Sequence, residues 1–478
     1  MLRKKHISII CLTIVAIIAI VFSGFTFYHP NQSRQPGEPT FYLGVTYCGD
    51  SVAEAKQLID KVKDYTNLFV LQTGTWERSP EKINAVCTYA VDAGMHFIVY
   101  FGSQHASEDN DWLNTLTPSL EQKCLGVYFG DEMGGKMLDS NVWLSGRTPY
   151  SINKYSNGTV SINLREAGGN VLYQKDGSIV VQKFLMPQPG DNGSTSQYTT
   201  YYPNGSIICE IQPYNKARYE IENTNATQLS LPEIWSQQPL KTYDEAAQAF
   251  TYTFNWSLHA ASYIPHPNKE VEIKNFTSFT SDYALYWFDY ISGCDVVLAE
   301  IGWNQSLPQD IGLARGAATL QNKSWGAMIT WKYTQPPYLD SGDAIYNQMR
   351  TAYQAGAKYI VVFNYAKDMT EAYGILQEEH FQALQRFWND VVQKESVVHG
   401  GIKAEAVLVL PHNYGWGMRN PQDNIWGLWQ PDEKAPVIWS QLQSRIAQYG
   451  TKLDIVYEDS AFPVQGKYQQ IYYWNQTR

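Results

Sequence analysis

The sequence is short of charge, and above all of positive charge. Only 17% of its 478 residues are charged, and 36 Lys and Arg stand against 46 Asp and Glu, for a formal net charge of −10. The longest basic run is Arg3, Lys4 and Lys5. Because binding to nucleic-acid phosphates requires clustered Lys and Arg, this composition argues against a nucleic acid as partner.

Several sequence motifs of catalysis and cofactor binding are also missing. The chain has no G-x-S-x-G, no H-E-x-x-H, no P-loop lysine and no G-x-G-x-x-G, which argues against serine hydrolases, zinc proteases, NTPases and dinucleotide enzymes. It has six cysteines without a C-x-x-C, and five of them, an odd number, follow the first apolar stretch. This spacing argues against a disulfide framework and a zinc site. We therefore predict neither a metal nor a cofactor.

One long apolar stretch runs from Ile7 to Phe27, directly after the basic residues. Its length is enough to cross about 30 Å of hydrocarbon as a helix, and the basic flank predicts an N-terminus inside the cell. A cleaved signal peptide is the alternative, but no small-x-small site lies near Ser23 and Gly24. The stretch predicts a transmembrane anchor over residues 1–28, in a single-pass protein of the cell membrane with an extracellular C-terminal part.

A polar stalk is predicted over residues 29–39, because three prolines and a glycine there oppose both helix and strand. Ten Asn-x-Ser/Thr sequons are compatible with an exported glycoprotein. Their asparagines are Asn31, Asn157, Asn192, Asn204, Asn225, Asn255, Asn275, Asn304, Asn322 and Asn475.

Strand-like apolar runs alternate with helical periodicity eight times. The predicted strands are Phe41 to Cys48, Leu68 to Thr73, Phe97 to Gly102, Leu125 to Gly130, Val271 to Phe279, Val296 to Ile301, Gly326 to Trp331 and Tyr359 to Asn364. Eight such units predict an α/β fold, a (β/α)8 TIM barrel over residues 40–400, in which right-handed crossovers bury each parallel strand on both faces. An open doubly wound sheet is the main alternative.

Two segments fall outside the eight units. Residues 139–240 carry turn signals such as Asn157-Gly158 and Asn204-Gly205, and predict a β-hairpin-rich insertion after the fourth strand. Because βα loops emerge at the face where barrel active sites lie, the insertion either rims the pocket or is a packing ornament. Residues 401–478 predict a small C-terminal α/β domain, with a helix from Ala435 to Tyr449 and a strand from Leu453 to Tyr457.

Carboxylates follow the apolar core of two predicted strands. The fourth ends in Gly130-Asp131-Glu132 and the sixth in Ala299-Glu300-Ile301. Because reactive side chains lie at the C-terminal ends of barrel strands, Asp131, Glu132 and Glu300 are the candidate catalytic residues. Two carboxyl groups from different strands, one protonated and one ionised, are what glycoside cleavage requires.

Strand alternation sends Asp131 and Glu132 to opposite faces, and we favour Glu132 for the pocket. The structural alternative is a salt bridge that ties loops together, from Glu300 or Asp131 to Arg315 or Lys332.

Other strand ends carry aromatic and amide side chains, which suit the apolar faces and hydroxyl groups of sugars. The candidate substrate-binding residues are Tyr47, Gln72, Trp76, Trp303, Trp331, Tyr333 and Asn364. A carbohydrate is therefore the expected partner.

The chain resembles the TIM-barrel glycoside hydrolases through Gly130-Asp131-Glu132 and Ala299-Glu300-Ile301-Gly302-Trp303. A barrel followed by a small α/β domain is similar to the layout of some β-galactosidases. The run from Trp325 to Trp331, with Pro336-Pro337-Tyr338-Leu339, resembles uncharacterised membrane-anchored microbial barrel proteins. The largest glycosidase clan has Asn-Glu on the fourth strand and Glu on the seventh, and this chain departs from it. A pair on strands four and six resembles the α-galactosidase-like barrels, which use Asp at both positions, where this chain has Glu300.

The sequence is compatible with two functions. The first is a cell-surface glycoside hydrolase that cleaves an extracellular glycan with paired carboxyl groups, as the resemblance implies. The second is a non-catalytic polysaccharide-binding or envelope protein built on a glycosidase-like barrel.

Overall fold

The computed structural model describes residues 39–72, 79–101, 112–140, 149–154, 160–164, 169–174, 176–185, 195–204, 206–213, 227–228, 242–263, 276–303, 305–367, 369, 372–394 and 396–476. The predicted apolar anchor, nearly all of the stalk, Trp76 and Asn304 lie outside these described residues.

The barrel begins with four units of strand and helix. Ser51 and Thr117 each begin a helix, because their hydroxyls accept an N–H of the first turn, and prolines occupy the first turn of two helices. The elements are β1 (Tyr42–Cys48), α1 (Val52–Val62), β2 (Leu68–Gln72), α2 (Pro80–Asp92), β3 (His96–Tyr100), α3 (Pro118–Lys123), β4 (Cys124–Asp131) and α4 (Met133–Ser140).

A separate sheet follows β4, where the hairpin turn signals predict the insertion. Its strands are β5 (Pro149–Lys154), β6 (Val160–Leu164), β7 (Gly169–Tyr173), β8 (Ile179–Leu185), β9 (Thr195–Tyr201), β10 (Ile207–Pro213) and β11 (Thr227–Gln228). They pair antiparallel in the order β10-β9-β8-β7-β6-β5-β11. Consecutive strands from β5 to β10 are neighbours, as a string of hairpins requires.

The second half of the barrel begins with a long helix. The elements are α5 (Tyr243–Tyr263), β12 (Ser278–Asp282), α6 (Tyr286–Ile291), β13 (Val296–Ile301), α7 (Leu307–Leu320), β14 (Ser324–Ile329), α8 (Gly342–Gln354), β15 (Tyr359–Val362) and α9 (Glu378–Phe387). The strands form a closed parallel barrel in the order β1-β15-β14-β13-β12-β4-β3-β2. The predicted (β/α)8 barrel is confirmed, and the open sheet is excluded because β1 pairs with both β2 and β15.

The fifth barrel strand lies further along the chain than predicted. We expected it at Val271 to Phe279, and the structure has it at Ser278–Asp282. The following helix begins at Tyr286, because Leu285 has a left-handed backbone, with φ of 56°, that separates strand from helix.

Side chains alternate between the inside of the barrel and the layer beneath the helices. Along β13, Val296 and Leu298 belong to the inner cluster, whereas Val297 and Ala299 pack in the outer one. The period of two continues to Glu300, which therefore points into the barrel at its C-terminal mouth. The inner cluster consists of Tyr42, Leu68, Val70, Ile98, Tyr128, Phe279, Val296, Leu298, Met328, Tyr359 and Val361.

The last part of the chain forms a parallel sheet of β16 (Ala406–Leu410), β17 (Leu453–Tyr457) and β18 (Gln470–Tyr473), with α10 (Lys434–Tyr449) before β17. Helix α7 of the barrel packs directly against β17. A Cβ at Gly312 would lie 2.7 Å from the Leu453 carbonyl oxygen, so glycine permits this close approach. Beside it, Arg315 Nε lies 2.8 Å from Asp454 Oδ1, and both side chains are buried.

The predicted membrane location is corrected. Crossing a bilayer requires a helix of about 20 mostly apolar residues. Within the described ranges, every helix is too short or too polar to do so. The prediction of a single-pass membrane protein, with the membrane as a partner through its N-terminal helix, is wrong by this finding.

Candidate active site

The end of β4 contains a bulge that turns Asp131 into the barrel. Gly130 has a left-handed backbone, with φ of 56°, and its carbonyl accepts the hydroxyl of Thr280 at 3.0 Å. Tyr128 pairs with Phe279 on β12, but Asp131 pairs with Ser281, so β4 has one residue more than its neighbour. A glycine in this conformation is the typical first residue of such a bulge.

The bulge overturns the expectation that Asp131 and Glu132 lie on opposite faces. Without it, Asp131 would follow Phe129 into the outer layer. With it, Asp131 joins Tyr128 inside, and Glu132, with φ of 58°, turns toward the same mouth while its N–H donates to the Ser281 carbonyl at 2.9 Å. Both side chains therefore reach the same group of polar residues.

Ser281 brings the carboxyl groups of two strands together. Its hydroxyl lies 2.6 Å from Glu300 Oε1 and 3.3 Å from Asp131 Oδ1. The hydroxyl of Tyr128 lies 2.8 Å from the same Asp131 oxygen and 2.5 Å from Ser281 Oγ. Each hydroxyl has one proton. The Tyr128 proton is directed at both Ser281 Oγ and Asp131 Oδ1, and Ser281 donates its own to Glu300 Oε1.

Glu132 and Glu300 form a carboxyl pair. Their side chains lie within hydrogen-bonding reach of each other, and among the described residues no donor reaches Glu300 Oε2. Two ionised carboxylates only repel, so a hydrogen bond between them requires a proton on one. Glu300 is only 3% exposed, whereas Glu132 is partly exposed, and burial therefore places the proton on Glu300.

Burial and neighbouring charges act on this pair in the same direction. Burial, followed by the charges of Glu132 and Asp131, raises the pKa of Glu300 well above its ordinary value, against the hydrogen bond from Ser281. The pKa of Glu132 is also raised, by burial and by the charge of Asp131, while Lys136 opposes the shift. The site therefore holds a protonated acid beside carboxylates that face solvent.

Lys136 supplies the positive charge of the site. Its ammonium group lies 2.7 Å from the Asp131 carbonyl oxygen, 3.5 Å from Asp131 Oδ2 and 3.3 Å from Glu132 Oε2. Burial opposes its charge, but the two carboxylates outweigh burial and raise the pKa of Lys136. Lysine thus keeps Asp131 and Glu132 side by side at the mouth.

Arg315 and Lys332, the basic residues considered as salt-bridge partners of Glu300 or Asp131, pair with other carboxylates. Arg315 pairs with Asp454 of the C-terminal sheet, and Lys332 lies 3.8 Å from Asp340. Neither pairing uses Glu300 or Asp131.

An aromatic ledge follows the ends of β13 and β14. Trp303, three residues after Glu300, is 38% exposed, has φ of 45°, and donates its N–H to the Trp331 carbonyl at 2.9 Å. Trp303 and the exposed Tyr333 line a cavity of about 530 Å³. Trp331 lies behind them, with its ring 5.4 Å from that of Tyr338 and 5.7 Å from that of Phe363.

The remaining predicted site residues lie in different surroundings. The Tyr47 hydroxyl is 2.9 Å from the Ser51 carbonyl and its ring packs in the outer layer. Asn364 is buried, and its Oδ1 accepts the Ile375 N–H at 3.1 Å. Gln72 ends β2 on the inward-facing register of Leu68 and Val70, half-buried. Trp76 lies outside the described residues.

Three residues of the site were not among the predicted ones. Lys136 was detectable, because it follows Glu132 by four residues, the spacing of neighbours on a helix. Tyr128 and Ser281 gave no signal, since their roles depend on the bulge and on which strands are neighbours. In the described part of the chain, no three side chains of the metal-binding types are grouped to hold an ion.

No protein-family model and no curated protein matches the chain. Solved structures that match include an α-L-fucosidase isoenzyme from Paenibacillus thiaminolyticus, with 9% identity, a TM-score of 0.41, and coverage of 88% of this chain and 59% of the fucosidase. An endo-β-1,4-mannanase from Thermotoga petrophila has 7% identity, a TM-score of 0.35, and coverage of 78% and 82%.

An aldolase from Desulfitobacterium hafniense matches with 10% identity, a TM-score of 0.24, and coverage of 76% and 95%. The matched proteins thus include two glycoside hydrolases and an enzyme of another class, and likenesses this low do not distinguish one reaction from another.

Proposed function

We propose that the protein is a glycoside hydrolase that uses Asp131 and Glu300 as its carboxyl pair. The observation that carries the proposal is their common contact with Ser281. Asp131 Oδ1 lies 3.3 Å and Glu300 Oε1 2.6 Å from one oxygen atom, so these two carboxyl oxygens are at most about 6 Å apart.

The environments of the two groups support different roles. Glu300 is buried, beside carboxylates that favour its protonated form, as a general acid requires. Asp131 is more accessible, with a side chain 36% exposed, and receives a hydroxyl donor and the Lys136 ammonium. These partners orient the Asp131 carboxyl group for a role as nucleophile or base.

The distance between the two groups favours retention of anomeric configuration. Retaining glycosidases place their carboxyl groups about 5–5.5 Å apart, and inverting ones about 6.5–9.5 Å apart to admit a water. The upper bound of about 6 Å fits the first class better.

The proposed reaction has two steps. Glu300 donates its proton to the glycosidic oxygen while an Asp131 oxygen attacks the anomeric carbon, so that the leaving sugar departs as an alcohol and an ester to Asp131 forms. Ionised Glu300 then takes a proton from water, whose oxygen attacks the anomeric carbon and breaks that ester. Both carboxyl groups return to their starting states. Glu132, hydrogen-bonded to Glu300, keeps the acid protonated before the sugar arrives.

The aromatic ledge supports a sugar as the ligand. Trp303 and Tyr333 offer apolar ring faces that suit pyranose C–H surfaces. Their cavity of about 530 Å³ lies within the size range of small-molecule sites, and holds Lys332 and Gln335 as polar groups.

The burial of Glu300 favours a second candidate, a non-catalytic polysaccharide-binding protein. A general acid must meet the glycosidic oxygen, and Glu300 is almost fully covered. Under this alternative the ledge binds sugar, and the carboxyl cluster only joins strands β4, β12 and β13.

An activity screen separates the two candidates. The purified full chain is incubated with a panel of polysaccharides and aryl glycosides, and released sugar and binding are both measured. The comparison includes Glu300→Gln and, as a matched control, Glu433→Gln, whose side chain is exposed. Turnover by the parent and by Glu433→Gln, lost in Glu300→Gln, supports the hydrolase. Binding without turnover in all three chains supports the second candidate.

A further inference from the structure

Asp282, the last residue of β12, is a buried carboxylate surrounded by backbone donors. Its Oδ1 accepts the N–H of Gly135 at 2.8 Å, of Tyr283 at 2.8 Å and of Ala284 at 3.0 Å. Its Oδ2 accepts the N–H of Gly134. The side chain has no access to solvent, so its function is internal to the fold rather than contact with a ligand.

These bonds fix the turn that carries Glu132. Gly134 and Gly135 lie in the first turn of α4, immediately after Glu132 and Met133. A Cβ at Gly134 would lie 2.6 Å from the Ala284 carbonyl oxygen, and one at Gly135 2.1 Å from the Tyr283 ring. The two glycines let the turn approach Asp282 closely enough for both N–H groups to reach it.

A second buried carboxyl group, that of Asp289, lies next to Asp282. Asp289 on α6 is fully buried, and no donor among the described residues reaches either of its carboxyl oxygens. It lies within hydrogen-bonding reach of Asp282. Both groups are acceptors when ionised, so the pair needs a proton, and Asp289 is the one without other donors.

We infer that Asp282, held by protonated Asp289, is a positioning residue for the hydrolase proposed above. It sets the β4–α4 turn so that Asp131 and Glu132 meet Glu300 across the barrel mouth. The inference rests on the proposed function for its catalytic consequence, and on the hydrogen bonds to Gly134 and Gly135 for its structural one.

The charge of Asp282 also reaches the proposed acid. Burial raises the pKa of Asp282 to about 7, against its backbone hydrogen bonds, and its charge contributes to the raised pKa of Glu300. Ionised Asp282 therefore helps Glu300 to keep its proton as the pH rises. The titratable and charged groups around this pair are Asp131, Glu132, Lys136, Tyr128, Tyr283, Tyr286, Asp289 and Cys294.

The test compares Asp282→Asn with Asp289→Asn in the full chain. An asparagine at 282 cannot accept hydrogen bonds on both side-chain atoms, whereas one at 289 still donates to Asp282 through its amide. We expect Asp282→Asn to lower kcat about 10- to 100-fold, with KM within about threefold, because a small misplacement of reacting groups has such an effect. The alkaline limb of its kcat/KM profile moves to lower pH. Asp289→Asn stays within about threefold of the parent.

Amide hydrogen exchange measured by mass spectrometry tests the structural half without any substrate. Peptides that cover Gly134 and Gly135 exchange at least about tenfold faster in Asp282→Asn and at the parental rate in Asp289→Asn. Unchanged exchange in Asp282→Asn overturns the inference, as does a uniform loss of rate without movement of the alkaline limb. A parent inactive on every substrate overturns the proposed function alone, because the exchange result then decides whether Asp282 fixes the turn.

Discussion

The hydroxyl oxygen of Ser281 lies 2.6 Å from Glu300 Oε1, across the boundary between the fifth and sixth strands of the barrel. The same oxygen lies 3.3 Å from Asp131 on the fourth strand. One small side chain therefore sets the spacing of two carboxyl groups that are far apart in sequence. Because the three strands are neighbours, the spacing follows from the order of the barrel itself.

Replacing Glu300 by glutamine tests its role as acid. The amide keeps the shape and one acceptor of the carboxyl group but has no acidic proton. We expect kcat to fall about 10²- to 10⁴-fold for substrates with a sugar leaving group. For aryl glycosides with a dinitrophenyl leaving group, which departs without a proton, the first step slows less than about tenfold.

The comparison between leaving groups is made on kcat/KM, which reports the first step, with Glu433→Gln as control. The kcat of an aryl glycoside also contains the second step, in which Glu300 is the base. Equal losses on the two substrates would contradict the assignment of Glu300 as acid, since a structural defect does not depend on the leaving group.

The pH dependence of activity follows from the raised pKa of Glu300. Burial and the neighbouring carboxylates raise the pKa of Glu300 well above the ordinary value of a glutamic acid. As the pH rises through this raised value, the acid is lost and kcat/KM falls, so the parent retains activity at neutral pH. In Glu300→Gln the alkaline limb disappears from the residual turnover of substrates with a sugar leaving group. An alkaline limb that persists there belongs to another group and contradicts the assignment.

Replacing Trp303 by alanine tests whether the aromatic ledge binds sugar. Its ring is partly exposed beside the cavity, and stacking on a ring contributes about 0.5–1.5 kcal/mol beyond buried area. We expect Trp303→Ala to raise KM for a polysaccharide about 3- to 10-fold, with kcat within about twofold. Trp388→Ala, which alters a ring at the end of α9 opposite the mouth, serves as control. If the KM of Trp303→Ala equals that of the parent, the aromatic ledge is not part of the substrate-binding site.

Replacing Arg315 tests how much its ion pair with the C-terminal sheet contributes to the free energy of unfolding. Its guanidinium pairs with buried Asp454 and donates to the carbonyls of Thr451 and Leu453 at 2.7 and 3.3 Å. Arg315→Met leaves Asp454 buried without its ion pair, and we expect a loss of about 3–5 kcal/mol in the free energy of unfolding.

Chemical denaturation measures this change. The control is Arg350→Met on the exposed face of α8, with an expected change within about 0.5 kcal/mol. Adding Asp454→Leu to Arg315→Met recovers part of the stability, because the unpaired charge is then gone. A parental stability for Arg315→Met alone would show that the pair does not join the two parts.

The fold was predictable because its signal is local. Most barrel strands are short apolar runs between helices of period 3.6, and β17 lies at Leu453–Tyr457, where the sequence predicts it. The fifth strand was misplaced, because the apolar residues before it resemble a strand and its own residues, from Ser278 to Asp282, are mostly polar. Their burial depends on contacts with β4 and β13 that no local pattern contains.

The site was predictable only in part, for the same reason. Position at strand ends indicates Asp131, Glu132 and Glu300, but the shared orientation of the first two depends on the bulge at Gly130. Tyr47 and Asn364 also belong to strand ends, yet the Tyr47 hydroxyl contacts the Ser51 carbonyl and Asn364 Oδ1 accepts the Ile375 N–H. Which strand-end residues face the mouth is decided by register, and register is a property of strand pairs.

The most direct test of the central claim is to trap the proposed ester. The full chain is treated with a 2-deoxy-2-fluoro glycosyl fluoride of the sugar that the activity screen identifies, and its peptides are mapped by mass spectrometry. We predict one added glycosyl group, on the side chain of Asp131, and a released product of retained configuration in uninhibited turnover. An adduct on Glu132 or Glu300, or turnover with inverted configuration and no adduct, would contradict the account.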